Sequence, residues 1–172
     1  ELPNAVREQC IHNPYGVKSL LDANVSFEQL SALPLELRTQ CIEKADKLIF
    51  LLKSGLSLSQ WFELPVESHE QGLKYSLALF KLSEAGLPYE TWFNRSSTDF
   101  KKQCLDNYPQ LVCLLKAGLS FTQLCYSSKE VSTSALKEGY KLSELLSAGM
   151  SFNEWARLPE EHQREYLENS KR

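Results

Sequence analysis

The chain has 172 residues, of which 42% are hydrophobic and 24% charged, and its formal net charge is −3 at pH 7. This composition is typical of a folded globular protein and differs from that of a disordered chain. Proteins that neutralise many phosphate groups carry an excess of basic residues, so the acidic balance argues against a nucleic-acid partner. The longest apolar run is 48–52, far short of the ~20 residues that span a bilayer, so we expect no membrane partner.

Three sequence markers recur at intervals of about 31 residues, which indicates internal repeats. A joint led by glycine or asparagine begins at positions 24, 55, 86, 118 and 149. A Leu-Pro pair occurs at 2, 33, 64 and 158, and a small residue precedes Ile or Leu at 10, 41, 72, 104 and 135. We therefore predict five repeats, at about 2–32, 33–63, 64–94, 95–126 and 127–157, followed by a cap at 158–172.

Each joint carries the residues that end one helix and begin the next. Gly55 is placed to end a helix in the left-handed conformation. Two residues later Ser57 is placed to cap the next helix, and Gln60 completes a capping box with it. The other joints repeat this pattern except the third, where Pro88 and Thr91 replace the box.

Breaks in the helical pattern predict three short helices per repeat. Pro14, Pro109 and Gly139 interrupt the pattern near the same repeat position. Around the second repeat the predicted helices are about 27–33, 34–44 and 46–54. The alternative is two helices per repeat, the second long and kinked. Either reading predicts an all-α protein, an α-solenoid of about five tandem 31-residue repeats with a C-terminal capping helix. We expect a single domain over 1–172, and we expect it to be a fragment of a longer protein.

Apolar residues at equivalent positions predict three stripes of core residues, and burial of such side chains dominates folding. The first stripe is Val17, Leu48, Leu79, Leu111 and Leu142. The second is Leu20, Leu51, Leu82, Leu114 and Leu145. The third is Leu21, Leu52, Leu115 and Leu146.

The cysteines are better explained by packing than by chemistry. Cys10, Cys41 and Cys104 share a repeat position that elsewhere holds Gly72 or Ala135, which indicates a need for small volume. The spacing contains no CxxC and no Cys/His cluster of a zinc site, so we predict no metal and no cofactor. An odd number of cysteines favours a reducing compartment, which we take to be the cytoplasm, with delivery into a host cell as an open alternative.

No catalytic motif stands out in the sequence. His12, His69 and His162 fall at unrelated repeat positions, and we expect His12 and His69 at the surface. The sequence lacks HExxH, GxSxG, a P-loop and GxGxxG, so we predict that the chain is not an enzyme and carries no catalytic residue.

Positions that differ between repeats indicate the surface available to a partner. The equivalent pairs are Lys18-Ser19, Ile49-Phe50, Phe80-Lys81, Val112-Cys113 and Ser143-Glu144, apolar in the middle repeats and polar in the outer ones. Deeper burial in the middle of the array would explain this contrast, and so would an apolar interface patch rimmed by lysines. The candidate partner-binding residues are Ile49, Phe50, Phe80, Lys53, Lys81, Phe62 and Phe93.

The sequence LLKAGLS at 114–120 resembles the helix–Gly–Ser–helix joint of short-period α-helical repeat arrays. It is loosely similar to the repeats of mitochondrial transcription-termination factors, which recur at about this length. Those proteins bind nucleic acid with basic surfaces, whereas this chain is acidic overall, so the likeness implies a helical array and not their function.

These observations favour a non-catalytic scaffold or adaptor that binds a protein or peptide along a helical-repeat surface, as part of an effector or regulator. One alternative is a nucleic-acid-binding repeat module that reads one base per repeat. Another is the regulatory domain of an enzyme whose catalytic part lies elsewhere. The oligomeric state, the partner and the pathway are left open at this point.

Overall fold

The repeats predicted from the sequence appear as a recurring order of short helices in a computed structural model, which describes residues 4–89, 91 and 98–169. The helices are α1 (Asn4–His12), α2 (Pro14–Asp22), α3 (Phe27–Ala32), α4 (Leu35–Glu43), α5 (Ala45–Lys53), α6 (Leu58–Phe62), α7 (Val66–Lys74), α8 (Ser76–Glu84), α9 (Thr98–Asp106), α10 (Tyr108–Lys116), α11 (Phe121–Tyr126), α12 (Lys129–Lys137), α13 (Gly139–Ser147), α14 (Phe152–Arg157) and α15 (Glu160–Asn169). The described residues contain no strand, so the prediction of an all-α protein is confirmed.

Within the described residues, the first, second, fourth and fifth repeats contain two longer helices followed by a short one, which we call the A, B and C helices, and the third contains an A and a B helix. The A helices are α1, α4, α7, α9, α12 and α15, the B helices are α2, α5, α8, α10 and α13, and the C helices are α3, α6, α11 and α14. A single residue separates each A helix from its B helix, as in the step from Glu43 to Ala45. The helix bounds around the second repeat therefore agree with the prediction of three short helices.

The joints between B and C helices have the predicted conformation. Asn24 has a φ of 65° and the glycines at positions 55, 86, 118 and 149 have φ between 89° and 105°, so all five occupy the left-handed region. At the first joint the Val25 N–H donates to the Leu20 carbonyl oxygen at 3.0 Å, as in a Schellman motif. Both hydrogen bonds of the capping box form at serines 26, 57, 120 and 151.

The core is formed by the first two stripes rather than by all three. The residues of the first stripe are all buried, and so are Leu20, Leu51, Leu82 and Leu114 of the second. The prediction is wrong for the third stripe and for Leu145, which are half-buried. In α5 the buried face consists of Ala45, Leu48 and Leu51, and the next residue along the helix lies about 100° away from that face.

The chain forms two compact lobes, an N-terminal lobe (Glu1–Phe80) and a C-terminal lobe (Lys81–Arg172). In the N-terminal lobe α2 packs against α4 and α5, and α5 packs against α7. In the C-terminal lobe α10 packs against α12 and α13, and α13 packs against α15. Within each lobe, a B helix thus contacts the A helix of the following repeat.

Candidate interaction surface

The predicted surface residues lie on the sides of B helices that face away from the core. Ile49 and Phe50 follow the buried Leu48 in α5, and both are half-buried. Phe80 lies in α8 after the buried Ala78 and Leu79, and it is also half-buried. Because the buried positions of a nine-residue helix recur every three or four residues, the intervening apolar residues are left at the rim of the core.

Two of the predicted residues are in direct contact. The rings of Phe50 and Phe80 have centroids 5.5 Å apart and planes inclined by 32°. Aromatic pairs at this separation stabilise their contact by about 0.5–1.5 kcal/mol beyond the burial of their area. The pair therefore joins the B helices of the second and third repeats, while each ring keeps an exposed part.

The two lysines predicted to bind a partner, Lys53 and Lys81, are exposed at the surface. Lys53 is exposed in the last turn of α5, three residues after Phe50 and so on the same side of that helix. Lys81 is exposed and forms an ion pair with Glu84, with 2.7 Å between Nζ and Oε2. The two residues of this ion pair are one helical turn apart and belong to the C-terminal lobe. Because the pair is exposed to solvent, it contributes little to stability.

The two remaining residues predicted to bind a partner are Phe62 and Phe93, which share a repeat position. Phe62 is the last residue of α6 and is 38% exposed, whereas its neighbour Trp61 is fully buried. Phe62 is therefore accessible at the surface, whereas Trp61 packs in the core. Phe93 lies outside the described residues.

A buried polar position on the A helices was missed by the sequence analysis. Arg38, His69, Ser132 and Gln163 occupy equivalent repeat positions, and all four are buried. His69 was expected at the surface, and this expectation is wrong, whereas His12 is exposed as predicted. The signal that could have found the position is the recurrence of a polar residue in register with the repeat.

Three of these side chains, those of Arg38, His69 and Gln163, contact carbonyl groups at the end of the preceding C helix. Nε2 of His69 lies 2.8 Å from the Trp61 carbonyl oxygen, and because that oxygen can only accept, the Nε2–H donates. Nε2 of Gln163 donates to the Leu158 carbonyl oxygen at 3.0 Å. The last carbonyl groups of a helix lack the usual partner four residues later, and these side chains supply donors to them. The Trp61 carbonyl oxygen also accepts from the Leu64 N–H at 3.2 Å, so His69 is its second donor.

The cysteines that share a repeat position are packed, as the sequence analysis predicted for them. Cys41 and Cys104 are fully buried, and Cys10 is half-buried. Burial raises the pKa of the Cys41 thiol to about 12, and it raises the pKa of Cys104 as well. These two thiols are therefore protonated at neutral pH and have little nucleophilic character.

Grooves lie between successive helices of the same type in the C-terminal lobe. One has a volume of about 680 Å³ and lies between α12 and α15. It is lined by charges of both signs, among them Lys137, Glu138, Glu160 and Arg164. A second groove of about 500 Å³ lies between α11 and α14 and includes Tyr126, which is 88% exposed.

In the described part of the chain no three His, Cys, Asp or Glu side chains are grouped so that they could bind a metal ion. Likewise, no described helix has both the length and the hydrophobicity needed to cross a bilayer. Comparisons with protein-family models, with curated proteins and with solved structures found no match to this chain.

Proposed function

We propose that this chain is an α-solenoid that acts as a non-catalytic, protein-binding scaffold. The recurrence of the same helix contacts within each lobe supports the solenoid. The B helix of one repeat contacts the A helix of the next where α2 meets α4, where α5 meets α7 and where α10 meets α12. Contacts that recur only between neighbouring repeats are the defining feature of solenoid proteins.

Hydrogen bonds between A helices provide independent support for the same arrangement. Nε2 of Gln9 donates to the Thr39 hydroxyl at 2.9 Å in the N-terminal lobe. In the C-terminal lobe the Thr133 hydroxyl donates to Oε1 of Gln103 at 3.5 Å, and these partners are likewise 30 positions apart. The same two residue types thus join equivalent positions of successive A helices in both lobes.

The contact of Phe50 with Phe80 is the observation that carries the proposed binding surface. We define the aromatic patch as Ile49, Phe50 and Phe80 in the N-terminal lobe. The three side chains are large and apolar and keep exposed area, and exposed apolar clusters with a polar rim are typical of protein interfaces. Lys53 lies beside the patch and favours a partner that presents an acidic group near its apolar side chains.

Affinity capture with a matched set of variants tests this function. The double variant Phe50→Ser, Phe80→Lys replaces the patch by the residues that the first repeat carries at the same positions, Ser19 and Lys18. The control variant Leu35→Ser changes an apolar residue that is 66% exposed on α4. We expect proteins identified by mass spectrometry to co-purify with the wild type and the control but not with the double variant.

Measuring the dissociation constant Kd for the identified partner then tests the proposal directly. With the purified partner, the double variant is expected to raise Kd at least about tenfold, or 1.4 kcal/mol. The melting temperature should fall by no more than about 2–4 °C, the loss expected from the ring contact, because the first repeat already accommodates Ser and Lys at these positions. A drop of several degrees in melting temperature without a change in Kd would assign Phe50 and Phe80 to the core and contradict the binding role.

A further inference from the structure

The groove between the C helices α11 and α14 differs in charge from two other grooves of the C-terminal lobe. Its volume is about 500 Å³, and among the described residues that line it Arg157 alone is charged at neutral pH. The groove between α12 and α15 is lined by equal numbers of acidic and basic residues. A third groove, beside α9, likewise combines Asp99 and Asp106 with Lys102 and Lys129. Of these three grooves, the one between α11 and α14 therefore carries a net positive charge.

No neighbouring carboxylate neutralises the charge of Arg157. The residue is exposed, and no carboxylate in the described part of the chain forms an ion pair with it. Glu154, one turn earlier in α14, accepts two hydrogen bonds from Ser151. Glu160, at the start of α15, pairs with Arg164 at 3.0 Å. The Arg157 guanidinium is thus available to an anion, and its planar set of donors matches the two oxygens of a carboxylate.

Apolar side chains line the same groove beside this charge. Phe152 is buried, and Val131 and Ala156 are half-buried, so these three form the inner part of the groove. Tyr126 also lines it and is 88% exposed. Tyrosine is enriched in protein interfaces because its ring supplies a large apolar contact and its hydroxyl a hydrogen bond. The groove therefore offers an apolar surface and a single cation side by side.

The groove lies where the sequence departs from the other repeats. Ser127, one of its lining residues, takes the position that holds Leu33, Leu64 and Leu158 elsewhere. Leucine at that position is buried or half-buried in all three cases. Because serine is smaller than leucine, the exchange leaves volume that the other repeats fill.

The residues that determine the chemistry of the groove also differ from those of the N-terminal lobe. Tyr126 and Arg157 occupy the same position in successive C helices, where the N-terminal lobe has Ala32 and Glu63. The C helix forms with each of these four residues, so neither the tyrosine nor the arginine is required for the fold. Two neighbouring repeats thus carry a large aromatic group and a cation at a position that folding leaves free to vary.

We propose that the groove between α11 and α14 binds a short segment of a partner protein that carries a carboxylate beside an apolar side chain. The carboxylate accepts hydrogen bonds from Arg157, and the apolar side chain packs on Phe152 beside Tyr126. The volume lies within the range of about 300–1,000 Å³ that is usual for ligand sites. The proposal shares with the proposed function only that the chain binds a protein. It uses another lobe than the aromatic patch, so either site can fail without the other.

The charges of the groove favour this occupant over a nucleic acid or a second copy of the chain. Phosphate-rich partners are bound by many basic residues, whereas this groove has one arginine and the chain has a net charge of −3. Within the described residues, Phe62 and Glu63 place an apolar side chain beside a carboxylate. They are held at the end of α6, where the Glu63 N–H donates to the Ser59 carbonyl oxygen at 3.1 Å. A flexible segment of another protein can enter the groove without breaking such a bond.

Blocked synthetic pentapeptides test the proposal with probes of defined chemistry. One set places a single Asp and a single Phe at every pair of positions in an alanine chain, and the matched set carries Asn in place of Asp. Nuclear magnetic resonance of isotope-labelled protein measures the binding and locates it. We expect at least one Asp peptide to shift the amide signals of 122–131 and 152–157 in a saturable way, and its Asn counterpart to bind at least about fivefold more weakly.

Variants that borrow residues from other repeats separate binding from folding. Arg157→Glu introduces the residue found at position 63, and Ser127→Leu fills the groove with the residue of three other repeats. Each should raise Kd for the best peptide at least about tenfold, or 1.4 kcal/mol, with little change in melting temperature. Arg164→Glu, which makes the same change of net charge beside the groove between α12 and α15, should bind as the wild type does. The double variant Phe50→Ser, Phe80→Lys should also bind normally, which keeps this test independent of the aromatic patch.

Four results would overturn the proposal. The first is the absence of saturable shifts with every Asp peptide, and the second is equal binding of the Asp and Asn sets. The third is N-acetylphenylalanine binding as tightly as the best pentapeptide, which would assign the groove to a small carboxylate. The fourth is self-association of the wild type, measured by light scattering, that Arg157→Glu abolishes, which would assign the groove to a second copy.

Discussion

The Glu154 carboxylate accepts two hydrogen bonds from Ser151, from the backbone N–H at 2.8 Å and from the hydroxyl at 2.7 Å. These bonds, the side-chain one first, hold the pKa of Glu154 below its ordinary value of 4.5. The other three capping boxes use glutamine at this position, which forms the same box without a titratable group. Among the four boxes of the described residues, this one alone has a titratable side chain three residues after its serine.

Stability should therefore depend on pH through Glu154. Because its pKa is lower in the folded state than in the unfolded state, the ionised carboxylate contributes stability above pH 4.5, and this contribution is lost as the pH falls through the folded-state pKa. Glu154→Gln keeps the box and removes the titration. Urea unfolding from neutral to acidic pH should show wild-type stability falling towards or below that of the variant. Parallel curves for the two proteins would contradict this.

The hydrogen bond of His69 to the Trp61 carbonyl oxygen should stabilise the N-terminal lobe. The imidazole is buried, and its centroid lies 4.6 Å from that of the Trp61 ring. His69→Leu removes this donor and leaves the Trp61 carbonyl oxygen with its bond from the Leu64 N–H at 3.2 Å, so we expect a loss of about 0.5–1.5 kcal/mol in the free energy of unfolding. His69→Gln is the matched control, because Gln163 makes the equivalent bond in the last A helix.

Urea unfolding monitored by tryptophan fluorescence measures both variants. The glutamine variant should recover at least half of the loss seen with leucine. Equal stability of His69→Leu and the wild type would show that the hydrogen bond adds nothing, and equal losses in both variants would assign the effect to the shape of the imidazole alone.

The two glycines of the N-terminal lobe that lie within helices should respond oppositely to alanine. At Gly16 a Cβ would collide with the Ile42 carbonyl oxygen, which belongs to backbone and cannot move aside cheaply, so Gly16→Ala should cost about 1–3 kcal/mol. At Gly72 the nearest atom is a Leu51 methyl group at 3.6 Å, an ordinary contact. Because alanine favours a helix more than glycine does, Gly72→Ala should add about 0.4–1 kcal/mol. Thermal unfolding of the two variants checks the signs, and a stabilising Gly16→Ala would contradict the close crossing of α2 and α4.

The local features of this fold could be predicted from the sequence because their causes lie within a few residues of each other. Gly55, Ser57 and Gln60 specify the end of one helix and the start of the next through hydrogen bonds inside a single joint. The three-helix repeat followed from the same reasoning, since a proline or glycine at one repeat position indicates a break in all the repeats.

The buried polar position could not be predicted in the same way. The carbonyl oxygen that His69 contacts belongs to a residue eight positions earlier and across a helix break, so a polar residue flanked by acidic ones looked like surface composition. The third leucine stripe was misjudged because the rotation of a B helix about its axis determines whether Leu52 or Leu51 faces the core. The aromatic patch was predicted as a set of positions, but the contact of Phe50 with Phe80 depends on how the two B helices are spaced.

The cysteine that is most deeply buried in the N-terminal lobe should be inert in the native protein. With the pKa of the Cys41 thiol raised to about 12 from its ordinary value of 9.0, its thiolate population falls roughly a thousandfold, and burial also excludes the reagent. Iodoacetamide should therefore modify Cys10, Cys113 and Cys125, which are half-buried, at least about a hundredfold faster than Cys41. Tryptic mass spectrometry at several reaction times measures each site. In urea all the thiols should react at similar rates, which controls for local sequence, whereas fast native modification of Cys41 would mean that its repeat position opens in the folded state.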